Sequence, residues 1–560
     1  MNHSCIHKNC GKYKPHLYFL DIPYVLEIKD NKWKLYSSEY SYEGATKEEF
    51  DLALEDLKVK YDLQTGETKH DKLVIYVEDF CDINQIIDEN RITSSIYNIS
   101  YTIDKMFELY EWTKWVESRT LLKHPILPLM QTVFELFKKV KTICPTPASY
   151  GRARLKYSKN KKKSDQLFIQ ELYPLLDDYF YIHASLYGGL RYCWKTKPCK
   201  YNMLYLDITS AYAFALLTEK YPMSKPYQEE DPNKWEEYLI RPSKGSIGIY
   251  EITYFCSSSY IQCWHDVDGN KLKQGTHTAT VSLTSVDLDL FLHFQFMNIH
   301  KIECKELMVF DMDYMPEYYR RETEALYMEK KNTPKNTPLY EINKVILNAS
   351  VYGNLLYKQI QRERDNLKKS TTFTDIKIMN MLQAKRTKCM KDAYSTGVPQ
   401  WGVFCTAYTR KMILGLAIYL DDWVYSHTDS IVCQDNEYNR KRIECYNQLI
   451  QDKIRQYCER TGSNFEDMKD LGQFDMEEAK VFRAWDTATY AWKDKNDNII
   501  VKACGRKVND HVYTDDLFTQ EDLVLECPIK SKNHEKEIDA NIFHYFNKLY
   551  EQLENEKLYW

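Results

Sequence analysis

Two aspartates at the ends of apolar strands have the residue type and setting for chemistry. Asp207 lies in 203–212, MLYLDITSAY, where Leu204, Leu206 and Ile208 alternate with Tyr205 and Asp207. That period of two predicts a strand running into a turn. Asp429 lies in 423–433, WVYSHTDSIVC, where two β-type runs flank a polar centre, the pattern of a hairpin with the acid at its tip. Brought together, the two carboxylates would make a site for hard divalent cations bridging a triphosphate. Read singly, Asp207 is equally a strand-end acid capping the next helix, and a separation of 222 positions says nothing about proximity. A third segment, 339–353 (LYEINKVILNASVYG), predicts an amphipathic helix. Lys344, Asn348 and Tyr352 follow at four-residue steps on one side, with Ile342, Ile346 and Ala349 on another. Such a lysine and tyrosine can hold a triphosphate and pack on a sugar ring; alone they equally describe a surface lysine beside a half-buried tyrosine.

The elements that must position these residues belong to a chain of 560 residues, too long for one core, so three or four domains are expected. With 44% hydrophobic and 28% charged residues, the composition excludes a wholly disordered chain. The apolar stretch 412–420 is too short to span a bilayer, and the N-terminus has no signal-peptide core, so a cytoplasmic protein is expected. A net charge of −5 gives no general argument for nucleic acid and leaves only local segregation of charge. The 46 tyrosines fit a coding bias or a use of stacking surfaces. Sixteen cysteines without a C-x-x-C pair indicate reduced structural thiols, and His3, Cys5, His7 and Cys10 lack the usual zinc spacing. Residues 1–150 alternate β-like and helical runs, an α/β pattern ending at CPTPASYG. Two basic stretches follow: 152–163, with seven Lys/Arg and no acid, and 362–391, with nine against three acids. The first reads as a solvated linker or a phosphate contact, the second as helical or hairpin-like.

Taken together, three segments resemble signatures of the family B DNA polymerases. DITSAY is similar to their D-x-x-S-L-Y element, K-VIL-NASVYG to their K-x-x-x-N-S-x-Y-G helix, and YSHTDS to their Y-x-D-T-D-S hairpin, all in the family's order. The likeness extends to 283–291, 401–417 and 471–490, covers about 181–506, and looks closest to the protein-primed branch of small bacteriophages and linear plasmids. It implies an α/β multidomain right hand with palm, fingers and thumb behind a degenerate RNase H-like exonuclease-type domain. The corresponding divisions are 1–150 for the exonuclease-like domain and 151–180 for a basic linker. The first part of the palm is 181–314, with a priming-protein insertion at about 245–300. Fingers follow at 315–358, a basic processivity insertion at 359–399, the rest of the palm at 400–480 and a thumb at 481–560.

The same resemblance implies residue roles and a reaction: attack of a primer hydroxyl on the α-phosphate of a nucleotide, with two Mg²⁺ ions (Mn²⁺ able to substitute). Asp207 and Asp429 would be the catalytic metal-binding carboxylates, assisted by the Ile208 carbonyl. Tyr212 would be the steric gate against a ribose 2′-OH, and Lys344, Tyr352 and Lys331 (or Lys330 or Lys335) would bind the nucleotide. Arg410, His427, Thr428, Tyr490 and Lys502 would lie along DNA. The implied partners are primer and template, deoxynucleoside triphosphates and a terminal protein, with the enzyme a monomer and no membrane contact.

Four departures stand out. His427 replaces the hairpin's first aspartate, and is expected to contact the primer phosphate in preference to a marginal metal role. NASVYG is one residue longer than its counterpart, and eight residues from Lys344 swing Tyr352 by a further ~100°, so a π-bulge near 348–350, or a helix end reached early, is expected. Ala488 stands where a primer-binding lysine belongs, leaving Lys493, Lys502 or Arg506 to substitute; likewise SLYGG (185–189) has its tyrosine one place late. Asp21 is followed by Pro23 where a glutamate belongs, and Glu78, Asp79 and Asp82 lack the usual asparagine, so editing activity is expected to be lost. Asp311 and Asp313 form a rival acidic pair read as structural. Two rival functions remain: a catalytically silent relative serving as a DNA- or protein-binding platform, and a template-independent polymerase in phage defence.

Overall fold

The computed structural model describes most of 147–520, apart from 195, 200, 242, 257–263, 294–296, 336, 356–358, 369–374 and 504–512. Before 147 it describes 17–19, 22–29, 32–36, 41–44 and a few single positions. The chain divides into two units: Met1–Ala153, Thr333–Ile342 and Ser531–Trp560 form one, and Arg154–Asn332 with Asn343–Lys530 the other. In the first unit, β1 (Leu17–Phe19), β2 (Ile22–Lys29), β3 (Lys32–Tyr36) and β4 (Ser41–Gly44) make an antiparallel meander in sequence order. Pro23 sits in β2, opposite Tyr18. The expected exonuclease acids Asp21, Glu78, Asp79 and Asp82, and the His3–Cys10 group, lie outside the described residues.

The second unit is built around a seven-stranded antiparallel sheet. Its strands are β5 (Leu190–Cys193), β6 (Met203–Ile208), β12 (Tyr425–Thr428), β13 (Ser430–Gln434), β14 (Phe474–Asp486), β15 (Thr489–Asp494) and β16 (Ile499–Ala503), in the order β16-β15-β14-β6-β13-β12-β5. The alternation in β6 works as the sequence predicts. Leu204, Leu206 and Ile208 are buried on one face, whereas Tyr205 and Asp207 occupy the other. On the Tyr205 face, Tyr425, Val432, Phe482, Tyr490 and Trp492 form an aromatic-rich cluster. Helix Ala211–Thr218 follows β6 and is apolar on nearly every side, with Phe214, Leu216 and Leu217 buried. The buried helix Pro399–Ala417 starts with proline, whose missing N–H costs nothing at that position.

A second sheet takes up much of 220–314. It joins β7 (Lys220–Pro222), β8 (Tyr227–Gln228), β9 (Lys244–Cys256), β10 (Gly275–Thr284) and β11 (Met297–Tyr314), ordered β10-β9-β11-β7 with β8 on β11. The stretch 245–300 is therefore a long antiparallel ladder interrupted by helix Ser285–His293. Asp311 on β11 is ion-paired to Lys244. In the basic stretch 362–391, helices Gln359–Lys368 and Asp375–Thr396 give the helical of the two expected forms.

Two divisions need correction. Residues 151–180 are no linker: helices Lys163–Leu172 and Leu176–Ala184 bury Ile169, Leu172, Leu176, Tyr179 and Ile182. Arg154 turns to Glu322 at 3.0 Å and Glu329 at 2.8 Å instead of facing solvent. Nor does the chain break at 480–481, because β14 runs without interruption from its pairing with β6 to its pairing with β15.

Candidate active site

Asp207 and Asp429 meet. β13 pairs with β6 so that Ser430 stands opposite Asp207, and the Ile208 N–H donates to the Asp429 carbonyl at 2.9 Å. Asp429 leaves the tip of the β12–β13 hairpin, where His427 faces Ser430. The turn between them is unusually tight: the Asp429 N–H donates to the His427 carbonyl at 2.8 Å, and Thr428 has φ +61°. An i to i+2 bond around a positive φ makes this a strained γ-turn, and a β-branched residue is a poor occupant of that region. Gly189 lets the turn seat against β5, since a Cβ there would lie 2.9 Å from the Thr428 Cα. Ser210, at the other edge of the site, is also left-handed (φ +57°) and starts helix Ala211–Thr218. Strain of this kind, about 1–3 kcal/mol per residue, persists where surrounding structure enforces it.

The electrostatics follow from this convergence. The Asp207 carboxyl is raised to about 7, first by burial among surrounding protein atoms, although water reaches one side of it, and next by the like charge of Asp429. Asp429 is raised too, chiefly by burial. Lys344 and Lys330 pull both carboxyls back down, so both cations lie near the pair. Lys330 also donates to the Ser210 hydroxyl at 2.8 Å. Two acids that resist joint ionisation gain most from a divalent cation, and a pair of carboxylates completed by substrate phosphates is a usual Mg²⁺ arrangement. No group of three or more His, Cys, Asp or Glu suited to a metal occurs among the described residues. Two converging carboxylates are a donor set that fits a cation held jointly with substrate.

Beside the carboxylates, Tyr212 and Tyr352 stack face to face, with ring centroids 3.7 Å apart and planes 4° from parallel. The extra residue in NASVYG is absorbed as expected: Pro338–Leu347 is α-helical, and Asn348–Gly353 winds as a π-helix. Tyr352 thereby turns inward onto Tyr212. Burial raises both phenols. Below the pair, Tyr490 packs on Tyr425 at 4.8 Å and places its hydroxyl 3.4 Å from that of Tyr205. Its phenol is pushed up to about 12, mainly by burial, with Asp207 and Asp429 adding to the shift. Lys502 is its cross-strand neighbour on β16.

Other expected contacts fall elsewhere. Arg410 is fully buried. It forms a two-pronged ion pair with Asp287 at 2.7 Å, and donates to the carbonyls of Tyr187 (3.0 Å) and Gly188 (2.7 Å). No donor edge is left for a phosphate, so the expected DNA contact is corrected to a strut joining helix Ser285–His293 to the segment before β5. Lys331 faces Asp470 at 2.9 Å and the Asp467 carbonyl at 2.8 Å, about 100° around the helix from Lys330. The lysine beside the carboxylates is therefore Lys330 rather than Lys331. A signal was present in the sequence: Lys330 continues the inward row Tyr319, Thr323, Leu326, which are buried. His427 stays in the hairpin, half-buried, with its ring 6.4 Å from that of Tyr490. Its pKa is lowered by burial and then by Arg191, and its Nε2 has no partner among the described residues.

A family model described as "DNA polymerase type B, organellar and viral" matches residues 126–393, a range that holds Asp207, Tyr212, Lys344 and Tyr352 but ends before Asp429. No curated protein matches the chain. Among solved structures, the bacteriophage Phi29 DNA polymerase complexed with primer-template DNA is similar at 16% identity and TM-score 0.48, over 69% of this chain and 64% of that one. An orthorhombic crystal form of the Phi29 polymerase aligns over 87% and 92% at 13% identity and TM-score 0.47. The family B DNA polymerase of the archaeon Pyrobaculum calidifontis aligns over 68% and 37% at 11% identity and TM-score 0.24. No described helix is long and apolar enough to cross a membrane. Over residues 126–393, somewhat under half of its length, the chain is similar to the type B DNA polymerases of the organellar and viral kind.

Proposed function

We propose that this protein is a DNA-directed DNA polymerase that extends a primer hydroxyl by nucleotidyl transfer. The observation that carries this reading is the meeting of Asp207 and Asp429 on neighbouring strands, with Lys330 and Lys344 close to both. Asp207, Asp429 and the Ile208 carbonyl would hold the divalent ions, Mg²⁺ by choice. Bound there, those ions would favour an ionised primer hydroxyl and neutralise charge at the reacting phosphate and on the leaving pyrophosphate. Lys344 and Lys330 face the same point from the fingers helices and neutralise the triphosphate. Tyr212, held flat by Tyr352, presents a rigid wall to the sugar, which selects deoxynucleotides over ribonucleotides. Thr428, His427, Tyr490 and Lys502 are positioned along the strand being extended.

The finer reading is protein-primed replication by a monomer of the phage or linear-element type, without proofreading. Its support is the extra basic helical pair within 359–399 and the long ladder at 245–300, the proposed docking surface for a terminal protein. On this reading, Gln359–Lys368 and Asp375–Thr396 follow DNA backbone.

Primer extension with Mg²⁺ and a labelled primer–template tests the proposal. The unaltered protein should extend, and Asp429→Ala should lose activity by about three orders of magnitude, the scale expected when charge stabilisation in the transition state is removed. Equal extension by both proteins would reject the assignment of Asp429. No extension by either would favour a silent binding platform, a reading that His427 and Ala488 would suit.

A further inference from the structure

The ladder pairings set a row of residues across the sheet on the face that carries the carboxylates. Arg191 on β5 stands opposite His427 on β12, His427 opposite Ser430 on β13, and Ser430 opposite Asp207 on β6. Directly opposed residues of antiparallel strands share a face. Arg191 is exposed and has no ion-pair partner among the described residues. Its charge is felt at His427 and at Tyr425. Lys330 and Lys344 stand by the carboxylates, near the Asp207 end of this row. A polymerising centre must receive two polyanions, the triphosphate and the strand that attacks it, and cations at the two ends of the row suit two approaches. The turn 486–489, where the resemblance led us to expect a lysine, has none: Ala488 N–H is tied to Asp486 at 2.6 Å, and the Thr487 carbonyl accepts from the Tyr425 hydroxyl at 3.0 Å.

We propose that Arg191 positions the primer by binding one of the last backbone phosphates before its 3′ end, filling the part left without a cation by Ala488. The inference rests on the polymerase reading above. Three strand spacings of ~4.8 Å separate Arg191 from Asp207 at the backbone. At ~3.4 Å of rise per nucleotide, that reach falls within the last few nucleotides of a strand ending at the carboxylates.

The test measures binding of the full-length protein to a primer–template duplex in EDTA, without nucleotide, across a salt series. Arg191→Gln should weaken binding about five- to tenfold and lower the log–log salt slope by about 1. Arg191→Lys should restore most of the slope. A primer whose last three linkages are neutral methylphosphonates should weaken the unaltered protein by the same factor, with no further loss in Arg191→Gln. Unchanged affinity and slope in Arg191→Gln, or losses that simply add, would overturn the proposal. Extension assays on the same proteins keep the two ideas apart. An unaltered protein that extends beside an Arg191→Gln that binds normally removes only Arg191. An unaltered protein that binds without extending sinks the polymerase reading, while the methylphosphonate comparison still decides the contact.

Discussion

Lys330 and Lys331 are chemically identical neighbours with opposite surroundings. Lys330 reaches Ser210 and the carboxylate pair, whereas Lys331 is held by Asp470 and the Asp467 carbonyl. A charge-assisted contact to a phosphate contributes about 1.5–3 kcal/mol. Lys330→Ala should therefore raise the nucleotide KM by about tenfold or more, and Lys331→Ala by less than about twofold; steady-state kinetics on a fixed primer–template measures both. Equal effects would place the triphosphate elsewhere. Residue type alone did not single out Asp207, Asp429, Tyr212, Lys344 and Tyr352, each of which has an ordinary structural reading; three motifs in one order did. Arg410 shows the limit of such reading. A charge in a sequence does not disclose whether it faces solvent, and here Asp287, 123 positions away, takes the guanidinium inside.

Among the elements, the π-helix at Asn348–Gly353 was legible because a one-residue surplus has few solutions when a side chain must return to one face. The γ-turn at Thr428 was not, since nothing in a threonine announces positive φ. Its enabling residue lies far off in the sequence, just before β5: Gly189, which packs against the turn where a Cβ would collide with backbone. Gly189→Ala should displace the hairpin tip and Asp429 with it. We expect extension to fall about tenfold with a stability loss of about 1–3 kcal/mol, the usual range for overpacking. Primer extension beside thermal unfolding checks this. A stable variant with full activity would mean that the tip tolerates movement. In the basic run at 152–163, Lys156, Lys159, Lys162 and Lys163 are exposed, whereas Arg154 is partly buried. The run's charges hide the amphipathic pattern of the helices that follow, and Arg154 finds Glu322 and Glu329 far along the chain.

For the molecule as a whole, the sequence showed a mixed helix-and-sheet chain in several parts but misplaced a seam. The thumb was expected to start at 481, yet β14 runs through that position from its pairing with β6 to its pairing with β15, because a sheet grows by hydrogen bonding regardless of functional divisions. That continuity also brings Asp475 opposite Asp207 and Tyr490 beneath the carboxylates, so the site depends on strands drawn from 190–503. Convergence of two acids has a thermodynamic signature. The Asp207 carboxyl rises from an ordinary 3.8 to about 7 in the folded protein, so its protonated form favours folding. That contribution is complete below about pH 4 and is lost as pH rises through about 7, where a cation should take the proton's place. The most direct measurement is proton release on titrating Mg²⁺ into the nucleotide-free protein at pH 7. The account predicts release of roughly half a proton or more, absent in Asp207→Asn and at pH 9. Binding without proton release, or equal release by Asp207→Asn, would contradict a cation shared by Asp207 and Asp429.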